Sequence, residues 1–250
     1  MLNDNRRNLW SFYCFTEITQ PAMIIPKLLL IAKKKLIKGT ILLANEGFNG
    51  SIAGDKQALQ LLLDKLIELT NAQGINIKYN TCALSAFSKF KIKVKREIVT
   101  FGIDALDVNN LKGEYIKPSK WDEFTQSSDV VVIDTRNKYE VEQGTFANAI
   151  NPQIDNFRDL PQWLEQNLQH FKAKKVAMFC TGGIRCEKST AYLKKIGHDK
   201  VYHLEGGILQ YFEDTKNQNQ LWSGGCFVFD DRRYVEEDLL DPRSKEQTSS

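Results

Sequence analysis

Cys180-Thr181-Gly182-Gly183-Ile184-Arg185-Cys186 is the stretch of this 250-residue chain best placed to do chemistry. It follows the apolar run Lys175-Val176-Ala177-Met178-Phe179 and precedes a helix-like segment from Glu187 to Ile196. A cysteine at the end of a buried strand, before a glycine-bearing loop and a helix, is set up to be reactive. Successive loop amides can converge on one point, and the helix N-terminus adds partial positive charge. Both lower a thiol pKa, and the thiolate is the nucleophile. The same cradle would hold an anionic sulfur carried on Cys180. The competing reading is a buried cysteine that packs as a small hydrophobe. The strand-loop-helix setting and the neighbouring Arg185 favour reactivity.

Spacing narrows the chemistry. Arg185 lies five residues after Cys180, whereas a phosphatase loop of the Cys-x5-Arg type needs arginine at the sixth position, here Cys186. The shorter loop suits a smaller group such as a terminal sulfur. Cys186 could exchange with Cys180 or be structural. Two further strand ends join the site. Asp134-Thr135-Arg136-Asn137-x-Tyr139-Glu140 offers Asp134 and Arg136 to order the active loop by hydrogen bonds, or to cap a local strand-to-helix turn. Glu205-Gly206-Gly207 follows the strand candidate Val201 to Leu204.

The elements that must position these residues can be read from periodicity. Asp129–Asp134, Lys175–Phe179 and Val201–Leu204 read as buried strands, and Phe157–Phe171 as a helix, with another short helix at Trp121. Strands alternating with helices predict a parallel sheet covered on both faces, with its active site at the carboxyl ends of the strands. The front half reads strand Leu9–Phe15, helix Ala22–Ile37, strand Thr40–Ala44, turn Asn45–Gly50, strand Ser51–Ala53, a helix capped by Asp55, and strand Ile75–Tyr79. That β-α-β-β-α-β order is ferredoxin-like. Residues 105–118 read as a linker or extended connection. The apolar core of the segment around Trp222–Arg232 is expected to pack back on the protein, and the tail from Asp241 to be polar and disordered.

Charge divides the chain. Residues 1–110 hold 15 Lys+Arg against 9 Asp+Glu, and residues 111–250 hold 19 against 22, so a net +6 front half precedes a net −3 back half. A basic half fits a polyanionic partner. Lys89, Lys91, Lys93 and Lys95 alternate with Phe90, Ile92 and Val94, and Arg96 follows. In a strand the lysines share one face. That face could track a phosphate backbone or simply protect an edge strand, and both readings stand. The five cysteines are irregularly spaced and the three histidines fit no ligand pattern, which argues against a disulfide framework and against a metal site. No apolar stretch reaches membrane-span length and no signal-peptide core follows the polar start, so a cytoplasmic protein is expected.

Taken in order, the Asp-x-Arg…Tyr-Glu element, Gly144-x-x-Ala147-Asn148-Ala149-Ile150, the Cys180 loop and Leu204-x-Gly206-Gly207 resemble the rhodanese domain over about residues 112–220. That resemblance implies a parallel α/β fold and a cysteine that carries a persulfide. Thr40–Gly50, Lys93–Gly102, Cys180–Lys188 and Gly225–Asp230 extend it to nearly the whole chain, which is similar to the bacterial tRNA uridine-34 hydroxylase family. The resemblance implies an N-terminal ferredoxin-like domain (1–104) that binds the tRNA anticodon arm, a rhodanese domain (112–220) and a C-terminal extension (221–250). It also implies 5-hydroxyuridine formation with dioxygen as co-substrate and no evident cofactor, and the sequence names no electron donor. Cys180 would act as thiolate or persulfide, Arg185 would stabilise negative charge, and Thr181, Gly182, Gly183, Ile184 and Cys186 would form the loop. Asp134 and Arg136 would support it, while Lys89, Lys91, Lys93, Lys95 and Arg96 would hold RNA and aromatic side chains would stack a base. A rhodanese-type sulfurtransferase, passing sulfur from Cys180 to tRNA or a small molecule, is the alternative. Thr145 departs from the family, which has histidine there, and the chain lacks the cysteine-rich extension of longer members.

Overall fold

The computed structural model describes residues 6–83, 87–215, 221–228 and 234–235. The expected polar tail from Asp241 lies outside them. The chain divides into two compact units, Met1–Thr100 and Phe101–Ser250.

In the first unit, β1 (Arg6–Phe15), α1 (Pro21–Lys34), β2 (Lys38–Ala44), β3 (Gly47–Gly54), α2 (Lys56–Thr70), β4 (Asn76–Ala83) and β5 (Phe90–Val94) follow in order. The sheet order β4-β1-β3-β2-β5 is the ferredoxin-like arrangement with one strand added beside β2. Alternation drives it: Trp10, Phe12 and Cys14 on β1, Ile41 and Leu43 on β2, and Phe48 and Ile52 on β3 form one apolar face. Leu28 and Ala32 of α1 and Leu59, Leu62, Leu63 and Leu66 of α2 cover that face. Asp55 caps α2, its Oδ1 accepting the N–H groups of Gln57 at 3.0 Å and Ala58 at 3.2 Å. The turn expected over residues 45–50 is shorter than read, because β3 begins at Gly47. Pairing with β1 on one side and β2 on the other overrides the weak strand propensity of Gly47, Asn49 and Gly50.

β5 pairs in parallel with β2 and forms a sheet edge. Lys89, Lys91, Lys93 and Lys95 are exposed, while Phe90 and Ile92 pack on the core. The strand is shorter than the alternating sequence suggested, since the chain from Lys95 to Thr100 leaves the sheet.

In the second unit the elements are α3 (Val108–Leu111), β6 (Glu114–Ile116), α4 (Pro118–Thr125), β7 (Val130–Asp134), α5 (Lys138–Val141), β8 (Gly144–Phe146), a 3-10 turn (Phe157–Asp159), α6 (Leu160–Phe171), β9 (Lys175–Phe179), α7 (Ile184–Lys195), β10 (Val201–Leu204), α8 (Gly207–Thr215), β11 (Trp222–Gly224), β12 (Cys226–Phe227) and β13 (Tyr234–Val235). The strands β6-β10-β9-β7 make one parallel sheet. β9 is buried on both faces, as its unbroken apolar run implied. Ala177 and Phe179 pack with Trp121 of α4 and Ile208 and Phe212 of α8. Val176 and Met178 alternate to the other face and are equally buried.

Residues 105–118 are not a linker. Asp107 caps α3, and β6 pairs with β10 to form a sheet edge. Three residues at an edge bury too little to leave an apolar run, so the sequence carried no strand signal. The segment after Trp222 packs back as expected: β11 pairs with β8, and Trp222, Cys226 and Val228 are buried in the core. Among the described residues, no helix is long and apolar enough to cross a membrane.

Candidate active site

β9 ends at Phe179 and delivers Cys180 to the carboxyl edge of the sheet. Gly183 then turns the chain at φ +96°, and α7 starts at Ile184, three residues earlier than its charged face implied. The early start matters because Arg185 and Cys186 occupy the first helical turn, where backbone N–H groups lack the usual partner four residues back, although Cys186 donates its N–H to the Gly183 carbonyl at 2.9 Å. The Sγ of Cys180 accepts the N–H of Gly183 at 3.1 Å, and the amides of Arg185 and Cys186 lie close enough to favour its thiolate.

The carbonyls of the loop face the other way. Ile208 and Leu209, at the start of α8, donate their N–H groups to the oxygens of Cys180 at 3.0 Å and Thr181 at 3.1 Å. Gly207 makes this approach possible. It sits at φ +69°, and a Cβ there would lie 2.5 Å from the Cys180 oxygen and 2.7 Å from that of Thr181. The strand end Glu205–Gly207 thus fixes which way the loop amides point.

Arg185 forms a buried, two-pronged ion pair with Glu140. Nη1 meets Oε2 at 2.6 Å and Nη2 meets Oε1 at 2.8 Å, and Nη2 also donates to Thr181 Oγ1 at 3.3 Å. Burial pushes the Glu140 carboxyl up, but the Arg185 guanidinium outweighs it and holds the group below its usual range. Arg185 therefore acts on the sulfur through its charge while its fork is held by Glu140.

Cys180 is fully buried. Burial raises its pKa, yet the hydrogen bond from Cys186, the charge of Arg185 and the loop amides win and lower it to about 6. Cys186 shifts the opposite way. Burial raises it first, and the bond to Cys180 and the neighbouring negative sulfur raise it further. Cys226 is also buried and is pushed up to about 12, chiefly by burial, so it stays a neutral thiol beside Thr181 and Arg136.

Asp134 and Arg136 form a second buried pair, with Nε to Oδ1 at 2.9 Å and Nη2 to Oδ2 at 2.6 Å. Arg136 goes on to the carbonyls of Gly144 at 2.6 Å and Glu140 at 3.4 Å. The pair therefore orders the segment that carries Glu140, and through Glu140 acts on Arg185. Thr135, between them, reaches the strand end directly: its N–H and Oγ1 bind the Phe179 oxygen at 3.0 Å and 2.9 Å. Thr145 donates Oγ1 to Asp134 Oδ2 at 2.8 Å.

The structure brings Cys180, Thr181, Gly183, Arg185, Cys186 and Gly207 together, with Asp134 and Arg136 one residue further out. Gly182 and Ile184 are half-buried on the loop. Lys89, Lys91, Lys93, Lys95 and Arg96 belong to the other unit. Sequence reasoning quoted Glu140 but gave it no role. Its available signal was an acid three residues after Asn137, whose N–H Oε2 accepts at 3.1 Å, and that reads as a helix cap. Among the described residues, no three or more His, Cys, Asp or Glu side chains cluster as metal ligands.

Two family models match the chain: a UPF0176 acylphosphatase like domain over residues 7–98 and a rhodanese-like domain over residues 118–214. A tRNA uridine(34) hydroxylase of Rickettsia conorii is 58% identical over 229 residues, covering 92% of this chain and 93% of that protein. One from Rickettsia bellii is 56% identical over 229 residues, covering 92% of each. Among solved structures, a rhodanese-related protein from Thermoplasma volcanium matches 40% of this chain and 92% of its own, at 24% identity and a TM-score of 0.32. With this identity sustained over nearly its whole length, the chain belongs to the tRNA uridine(34) hydroxylase family.

Proposed function

We propose that this protein hydroxylates uridine 34 of tRNA, with the Cys180 thiolate as the reactive group and dioxygen as the oxidant. One observation carries the reading: in a chain this similar to tRNA uridine(34) hydroxylases, a buried thiol beside the loop amides and Arg185 is held at a pKa of about 6 by Cys186, the charge of Arg185 and those amides, against the cost of burial. The thiolate, favoured at such a site, is the reactive form. The same amides and Arg185 stabilise negative charge that develops beside the sulfur during the reaction. Asp134 and Arg136 hold Glu140, Glu140 holds Arg185, and Thr181 to Cys186 form the cradle.

The tRNA is held by the basic first unit. Lys91 and Lys93 lie on the exposed face of β5, flanked by Lys89, Lys95 and Arg96. Such a row matches the anticodon-arm backbone, and the cytoplasm is where it would meet its substrate.

Nucleoside mass spectrometry of tRNA from cells with and without the protein tests this. The expected loss is a species one oxygen heavier than uridine, restored by wild type and not by Cys180→Ser. Loss of a thiolated nucleoside instead would make Cys180 a persulfide carrier and the protein a sulfurtransferase.

A further inference from the structure

Cys186 is buried, sits on the first turn of a well-anchored helix, and lies beside the reactive sulfur. Its thiol stands 3.7 Å from Thr135 Oγ1, which itself binds the Phe179 oxygen at 2.9 Å, so it lies at the same strand end that delivers Cys180. Its carbonyl accepts the Thr190 hydroxyl at 2.6 Å, and that hydroxyl takes the N–H of Gly113 at 2.9 Å. Cys186 is thus held in place, whereas Cys180 sits on a glycine loop. At Gly182, between the two cysteines, a Cβ would meet nothing within 4 Å, so that part of the loop is not packed against a neighbour.

We propose that Cys180 and Cys186 form a dithiol–disulfide pair that supplies the two electrons the hydroxylation demands. The inference rests on the hydroxylase reading. Placing an OH on C5 of uracil uses one atom of dioxygen, and dioxygen takes up four electrons in all. Two come from the C5–H bond. The other two come from the sulfurs, which are oxidised to a disulfide. The O–O, C5–H and Cys186 S–H bonds break, and a C5–O bond and an S–S bond form. The second oxygen leaves as water. The three hydrogens in the products are that of C5, that of Cys186, and one solvent proton replacing the one Cys180 gave up on ionising. An external dithiol reductant then reopens the disulfide.

The two thiols are matched to this task. One is ionised near neutral pH and the other keeps its proton, so the pair holds a nucleophile and a proton donor side by side. A disulfide would bring the two sulfurs to about 2.05 Å.

The test is a single turnover by the reduced, desalted full-length protein with uridine-34 tRNA in air and no added reductant. Trypsin cuts after Lys175, Arg185 and Lys188, so a disulfide between the two cysteines joins residues 176–185 to residues 186–188. The expected result is one joined peptide for each hydroxylated uridine. Cys186→Ser is expected to give at least tenfold less product in that turnover and to recover when a small dithiol is supplied. Full yield from Cys186→Ser without reductant, or wild-type turnover that leaves both thiols free, overturns the inference and leaves the hydroxylase reading standing. The wild-type peptide map does not depend on how the variant folds. No hydroxyuridine from wild type even with dithiol present overturns the hydroxylase reading itself, and the electron assignment with it.

Discussion

Replacing Arg185 with glutamine separates what holds the site together from what ionises its thiol. In the native site both guanidinium prongs sit on Glu140, with side-chain exposures of 8% for Arg185 and 0% for Glu140. Deleting the charge leaves a buried carboxylate unpaired, which costs about 3–5 kcal/mol of stability. Adding Glu140→Gln removes the stranded carboxylate, so the double variant is expected to regain most of that loss. The thiol responds differently. Its fall from 9.0 to about 6 corresponds to about 4 kcal/mol of preference for the thiolate. Arg185 is one of the principal contributors to it, after the Cys186 hydrogen bond. The alkylation rate of Cys180 against pH, read by peptide mass spectrometry, is expected to show a midpoint near 6 in wild type. Both variants should move it up toward 9.0. Chemical denaturation supplies the stabilities. A midpoint still near 6 in Arg185→Gln would show that the guanidinium does not hold the thiolate, and a double variant no more stable than the single one would refute the stranded-carboxylate argument.

Other consequences are equally direct. Gly207→Ala puts a methyl group 2.5 Å from the Cys180 carbonyl at a φ of +69° and is expected to cost about 2–4 kcal/mol in denaturant melts and to abolish activity. Native stability, relative to Cys180→Ser, depends on pH with a defined sign. The folded thiol is more acidic than the unfolded one, so its contribution is full above pH 9 and is lost as pH falls through about 6. A flat difference across that range would contradict the thiolate assignment. Reversing charge at Lys91, Lys93 and Lys95 together is expected to weaken tRNA binding at least tenfold. It should also flatten the slope of log affinity on log salt by about 3. Unchanged binding would move the RNA surface elsewhere.

Much of this was legible in the sequence where burial writes a pattern. β9 is apolar from Val176 to Phe179 and β10 is bracketed by Val201 and Leu204, and the bounds of both follow from the sequence alone. The leucine stripe of α2 and the alternation in β1 give the ferredoxin-like unit. What was not legible has no local signature. β6 and β8 are three residues each and exist because β10 and β11 pair with them. The helix signal of α7 begins at Glu187, because Gly182 and Gly183 mask the turn before it, yet the early start at Ile184 is what sets the Arg185 and Cys186 amides beside the sulfur. Glu140 meets an arginine 45 positions away, and Gly207 meets a carbonyl 27 positions back. Only the folded chain juxtaposes them. The spacing of Cys186 from Cys180 permits exchange between them, but their opposite acidities are products of the fold.

The most direct test of the account is to incubate the purified protein with uridine-34 tRNA under heavy-isotope dioxygen and weigh the anticodon nucleoside. The account predicts a hydroxyuridine that carries heavy oxygen, formed by wild type and absent with Cys180→Ser. Product carrying oxygen from water, product formed equally by Cys180→Ser, or a thiolated nucleoside in its place would contradict it.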